Sequence, residues 1–360
     1  MRSKFANRAV FASLAGISVG VGALSAAHWS KGPKVKQDAS LLRKLPLNLI
    51  GMVSYYAGSL PIPVALREPA YKSYCSKLGC DVSEVAGDLR DFRSLSDFFA
   101  RNIASDFRPI DKTASLVAPC DGTVIAAGPV GAYGSIEVKN ITYCIRDLLG
   151  AREREPLAVS SVAVADRKES GARLWYTVIH IEPGQCHRFA SPTSWSVSER
   201  TRIGGYLLWL NPDISGLYTE NERLAMLGEW DHGLFCLAAV GAAGRGSIYI
   251  DKEAESFQPH FRPSRTKVSR HKYHDPRNLT PGQQMGGFKL GSAIVLVFEA
   301  PEQSFKFHAS SGERVRLGQK LATVGRFQAM SPGTTITKRN AEANGVQSNT
   351  TSRARFRRAW

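Results

Sequence analysis

Cysteine pairs of the metal-binding kind are missing from this 360-residue chain. Its six cysteines, Cys75, Cys80, Cys120, Cys144, Cys186 and Cys236, form no Cys-x-x-Cys and no zinc-like Cys/His alternation, so no metal site is expected. His271 and His274 have ligand-compatible spacing but no partner cluster nearby, and they read as part of a solvated loop. Acidic residues are absent from positions 1–37, which carry Arg2, Lys4, Arg8, Lys31, Lys34 and Lys36. Charge of either sign is absent from positions 9–30. Apolar periodicity is absent after about position 329, where Ser, Thr, Gly, Asn and Arg take over and a disordered tail is expected. The formal charge of +16 thus sits mainly at the two ends, and no nucleic-acid motif accompanies it.

What is present is enough for a sizeable core: 43% of residues are hydrophobic, in a chain long enough for one large domain plus appendages. The apolar run at 9–30 has the length of a bilayer-spanning helix, about 20 residues. A secretory signal competes with that reading. The acid-free, Arg- and Ser-bearing start and the length of the run favour a mitochondrial import signal with an inner-membrane anchor. A second uncharged stretch, 45–66, is interrupted by Pro46, Pro61 and Pro63, so it predicts a short helix, either lying at a membrane surface or packed on its own domain. Downstream, the β-branched and aromatic runs at 124–125, 175–179, 247–250 and 294–298 are bounded by Gly and Pro and predict strands. The expected fold is α+β, a mainly β catalytic core with N-terminal helices and an N-terminal transmembrane helix. Its segments are a targeting segment and anchor at 1–37, a helical membrane-proximal region at 38–105, the core at 106–329 and a basic tail at 330–360.

Lys289-Leu290-Gly291-Ser292-Ala293 places a serine directly after a glycine carbonyl that no side chain shields. A serine Oγ there can attack the preceding peptide carbon and convert amide to ester, although Gly-Ser before a β-branched run is also an ordinary turn into a strand. Together with residues 294–301 this segment resembles the processing site of the phosphatidylserine decarboxylases, particularly the mitochondrial type. The resemblance runs through ordered blocks: Arg93 to Arg101, Arg108-Pro109-Ile110-Asp111, Ala118-Pro119-Cys120-Asp121-Gly122, Val138-Lys139-Asn140-Ile141-Thr142-Tyr143, Pro183-Gly184-Gln185-Cys186-His187-Arg188-Phe189-Ala190-Ser191-Pro192, Asn221-Glu222-Arg223 and Gly228-Glu229-Trp230-Asp231-His232-Gly233.

The resemblance implies a proenzyme. Asp121 would orient a base, the base would take the Ser292 proton, and an N-to-O shift followed by elimination would cut the chain between Gly291 and Ser292. The products are chains 1–291 and 292–360, the second headed by a covalent pyruvoyl group derived from Ser292. That ketone would form a Schiff base with phosphatidylserine, and carbon dioxide loss would give phosphatidylethanolamine, with His187 as proton donor. Membrane lipid is then the expected partner, the mitochondrial inner membrane the expected location, and no nucleic acid is involved; a homo-oligomer is left open. Departures from the family pattern are equally specific. Ala190 stands where the base, the second histidine of His-x-x-His, belongs, Gln185 and Cys186 replace an aspartate and a tyrosine, Asn140 replaces a glycine, and Ala293 replaces a threonine. His180, His232 and His308 are available as substitute bases. Cys186 beside His187 suggests a thiolate nucleophile, but neighbours in a strand point to opposite faces, which argues against it. Two readings remain: an active decarboxylase, or a catalytically inactive relative that retains the fold.

Overall fold

A computed structural model describes residues 49, 53, 56–151, 171–208, 216–242, 248–251, 268–289 and 292–325. The expected transmembrane helix and the basic tail lie outside the described residues. Among those described, no helix is long and apolar enough to cross a membrane. The architecture is α+β with a mainly β core, as the β-branched runs predict.

Helical turns over 56–59 end at Leu60, and helix α1 (Val64–Leu78) starts afresh after Pro61 and Pro63. The break follows from proline's missing N–H. Helix α1 stops at Gly79, whose φ of 70° and N–H to the Cys75 carbonyl form a left-handed cap. Helix α2 (Leu95–Phe99) begins at Ser94, whose hydroxyl accepts from the Asp97 N–H. These helices share a small aromatic core of Tyr71, Tyr74, Phe98 and Phe99.

The strands follow in order: β1 (Leu116–Val117), β2 (Gly122–Pro129), β3 (Ser135–Val138) and β4 (Ile141–Cys144), then helix α3 (Ile145–Leu149). Next come β5 (Ala172–Ile181), β6 (Arg188–Ala190), β7 (Trp195–Ile203), helix α4 (Leu217–Glu220), β8 (Arg223–Trp230) and β9 (Gly233–Gly241). The last are β10 (Ile248–Ile250), β11 (Val268–Leu279), β12 (Gln284–Phe288), β13 (Ser292–Pro301), β14 (Phe305–Phe307), β15 (Arg314–Val315) and β16 (Lys320–Val324). Eight strands form one antiparallel sheet in the order β11-β7-β8-β9-β13-β5-β2-β15. A three-stranded sheet, β10-β12-β6, and another, β1-β16-β14, accompany it.

Strand β13 is central because both its faces are apolar. Ile294, Leu296 and Phe298 enter one core with Phe189, Ile248 and Phe288 of the small sheet. Ala293, Val295 and Val297 enter a second core with Val138, Leu148 and Leu217. All six β13 residues are fully buried, and each larger side chain contributes roughly 1.5–3 kcal/mol of transfer free energy. Alternation therefore divides the large sheet into a face covered by sheets and a face covered by α3, α4 and the β3–β4 hairpin.

The hairpin explains one departure. Lys139 and Asn140 form its two-residue turn with φ of 47° and 63°. Asparagine is among the few residues besides glycine that adopt this left-handed conformation readily, so Asn140 preserves the turn.

Candidate active site

Register brings the sequence motifs to one end of the large sheet. Ser292 pairs with Ile181 on β5 and with Gly241 on β9. Thr123 pairs with His180, so Gly122 is level with Ile181. Arg223 pairs with Val240, and the Gly241 N–H donates to the Glu222 carbonyl at 2.8 Å, so Glu222 is level with Gly241. One row therefore reads Gly122, Ile181, Ser292, Gly241, Glu222. Adjacent strands lie about 4.8 Å apart, which puts the β2 and β13 backbones about 10 Å apart at this level. Gly122 is required there, because a Cβ would come 2.5 Å from Ile179 Cγ2 and 2.6 Å from the His180 carbonyl.

Strand β12, which leads towards Ser292, pairs with β6 of the histidine motif. The Phe288 N–H donates to the His187 carbonyl at 2.8 Å, four residues before Ser292. His187 is fully buried, its ring 4.9 Å from the Phe99 ring. The loop before it is clamped from the helical region: Tyr74 Oη donates to the Pro183 carbonyl at 2.6 Å, and Arg101 Nη2 to the Gly184 carbonyl at 2.8 Å. Gly184 packs so closely on the Leu78 carbonyl that no side chain fits. Thus α1 and α2 form a wall of the site.

Ala190 is fully buried, and its N–H donates to the Pro119 carbonyl at 2.8 Å, two residues before Asp121. The chain therefore passes from the Asp121 segment to Ala190 on β6, then across to β12 and on to Ser292. Gln185 serves locally, its Oε1 accepting the Glu182 N–H at 2.7 Å.

Asp121 is held by groups that the sequence did not single out as functional. Arg108 Nε and Nη2 donate to its two carboxylate oxygens at 2.8 and 2.7 Å, and the Leu317 N–H donates at 2.9 Å. Arg108 Nη2 also donates to Glu84 at 2.7 Å. Burial opposes the guanidinium charge, but hydrogen bonds to Asp121 and Glu84 outweigh it and hold the Arg108 pKa above its usual value. The only sequence signal for Arg108 was its place in a block of the resemblance; Glu84 had none.

The three spare histidines do not join the row. His180 pairs with Ala293, which belongs to the opposite face. Burial, and to a smaller extent Lys139, push its pKa down to about 4. His232 sits in the turn between β8 and β9, beyond Gly233, roughly 27 Å along β9 from Gly241. His308 is bonded through Nε2 to Thr323 Oγ1 at 2.8 Å beside β16. Cys186 donates its thiol to the Arg101 carbonyl, and burial raises its pKa, which leaves the thiolate disfavoured. Among the described residues no group of three or more His, Cys, Asp or Glu is placed to hold a metal ion.

The family model for phosphatidylserine decarboxylase matches residues 95–323. The chain belongs to the phosphatidylserine decarboxylase family. It is similar to the mitochondrial phosphatidylserine decarboxylase proenzyme of Cricetulus griseus, with 33% identity over 316 residues, 83% of this chain and 75% of the relative. The mitochondrial phosphatidylserine decarboxylase proenzyme 1 of Arabidopsis thaliana is 33% identical over 80% of this chain and 74% of its own length. That of Saccharomyces cerevisiae is 28% identical over 78% and 73%. Within this decarboxylase family the row at the sheet's end is the natural candidate site.

Proposed function

We propose that the chain is a proenzyme that cleaves itself between Gly291 and Ser292 and then decarboxylates phosphatidylserine to phosphatidylethanolamine. The observation that carries this reading is the placement of Ser292 as the first residue of the central strand, level with Gly122 and directly downstream of the strand paired with the histidine motif. A cut before residue 292 leaves every pair of β13 with β5 and β9 in place, so both products stay in one fold. Position 292 also suits a covalent ketone: its row neighbour Gly241, and Gly122 beyond the buried Ile181, carry no side chain. Such a pyruvoyl group would supply an electron-withdrawing carbonyl for decarboxylation.

The remaining work falls to the chain's own side chains. His187, packed on Phe99 at the root of β12, is the group to carry a proton at a ring nitrogen to the substrate's α-carbon. Asp121, fixed by Arg108 and Leu317, stands at the same end of the sheet. Arg188 is paired with Asp251, so gripping the lipid headgroup would require breaking that pair. Val53, Tyr56, Leu60, Val64 and Leu66 are about half exposed. These exposed apolar side chains, in α1 and just before it, support docking on membrane lipid. The relatives' mitochondrial names and the acid-free start support a mitochondrial protein anchored in the inner membrane, with segment boundaries at 37, 105 and 329.

Ala190 favours a second reading, an inactive relative that keeps the fold, because an alanine cannot relay a proton between Asp121 and Ser292. Gel analysis of purified protein, with mass spectrometry of the C-terminal fragment and a carbon dioxide release assay on phosphatidylserine vesicles, separates the two. A two-chain form blocked at residue 292 that releases carbon dioxide supports the enzyme. An intact single chain without activity supports the inactive relative.

A further inference from the structure

Glu222 sits in the same row as Ser292, and its two sequence neighbours point to a different use. The Asn221 side chain is consumed by the Leu208 N–H, the Leu208 carbonyl and the Gly241 carbonyl, at 2.9, 3.0 and 2.9 Å. The Arg223 side chain donates to the Leu148 carbonyl at 2.7 Å and also to Asp147, on the face covered by α3. Glu222, one residue from Arg223, falls on the opposite face with Leu224 and Met226, in the row that holds position 292. In the row only Gly241, which has no side chain, lies between Glu222 and Ser292.

We propose that Glu222 is the proton acceptor for self-cleavage in this chain, taking the role that Ala190 cannot fill. The inference rests on the proenzyme reading. The Glu222 carboxylate takes the proton from Ser292 Oγ, directly or through one water. The oxygen forms a bond to the Gly291 carbonyl carbon, the C–N bond breaks, and the proton passes to the freed amine of residue 292. Glu222 then takes the α-proton of residue 292 as the ester C–O bond breaks, which releases the Gly291 carboxylate and leaves dehydroalanine. The two backbones are about 10 Å apart, a gap that a glutamate, a serine and one water bridge.

Burial supports the assignment: Glu222 is 5% exposed, and desolvation pushes its pKa up to about 8, with Arg202 opposing. That value makes it a far stronger base than an ordinary carboxylate, while an appreciable fraction remains ionised near neutral pH. Arg202, on β7 and on the same face, is the charged group acting on it; the small sheet's Arg188, Tyr249 and Asp251 are engaged with one another. Across the row, Gly241 and Ile181 do not titrate.

The test follows conversion to two chains by gel from pH 5.5 to 9, after synthesis in a cell-free system, for wild type, Glu222→Gln, Glu222→Asp and Ser292→Ala. The wild-type rate should rise with pH, reach half its maximum near 8 and level off towards 9. Glu222→Gln, checked for folding by thermal melting, should slow conversion by about 100-fold and remove the inflection. Glu222→Asp should keep an inflection and convert faster than Glu222→Gln, which covers the case in which the glutamine variant fails to fold. Wild type that converts while Glu222→Gln converts equally fast, or with the same pH profile, overturns this inference alone. Wild type that never converts overturns the proenzyme reading and this inference with it.

Discussion

The two faces of the eight-stranded sheet are made by alternate residues of the same strands, yet their polar groups have different fates. On the face of Ala293, Val295 and Val297, Arg223 is spent on carbonyls of α3 and His180 is driven towards its neutral form. On the face of Ile294 and Leu296, the row at the sheet's end holds two glycines, Ser292 and a buried carboxyl. A period of two lets a strand put stability on one side and chemistry on the other. Asn221-Glu222-Arg223 shows this most compactly, since two of its members are structural clamps and the middle one looks into the site.

The largest effect should come from removing the nucleophile. Ser292→Ala should abolish conversion to two chains completely while leaving the melting temperature within a few degrees of the unprocessed wild type, as read by gel and calorimetry. Restoring the missing imidazole comes next. In the Glu222→Gln background, where the chain's own base is gone, Ala190→His should speed conversion by about 10²–10⁴, followed as the half-time of fragment appearance, and if the double variant is no faster than Glu222→Gln the gap between the Asp121 segment and Ser292 is not limited by that one group.

Breaking the ion pair beneath the site should cost stability. Arg108→Met removes the guanidinium from the buried Asp121 carboxylate and from Glu84, which keeps Arg316 at 3.7 Å, a loss of about 3–5 kcal/mol in urea unfolding. On the opposite face, Leu148→Ala should cost about 2–5 kcal/mol through the cavity it leaves. Its conversion rate, measured well below the melting temperature, should match wild type; a slowed rate would show that the two faces are coupled. The smallest effect concerns acid. His180 has a folded pKa near 4, below its ordinary value of 6.5, so the unfolded chain takes up the proton first and stability is lost as pH falls from about 6.5 through 4. His180→Gln should show a shallower decline over that window in melting temperature.

Much of this was legible in the sequence because it depends on local chemistry. The β-branched run at 294–298 predicts a buried strand, Pro61 and Pro63 predict the helix break, and the ordered motifs lead to the family. Pairings that arise only when the chain folds were not legible. Nothing local says that Arg108 will clasp Asp121, or that Glu84 will share it. The row joining Glu222 to Ser292 is a matter of strand order and register, and the sequence names the residues without their level. Asn140 reads as a lost glycine until its φ of 63° shows that the position asks for a left-handed residue.

Ser292 is proposed to cut the chain before itself. Intact-mass measurement of the purified full chain tests it most directly. Two chains are expected, ending at Gly291 and beginning at residue 292, the second blocked to Edman degradation and carrying the mass of a pyruvoyl group. A single uncut chain at every pH from 5.5 to 9, in a protein shown to be folded, would contradict it.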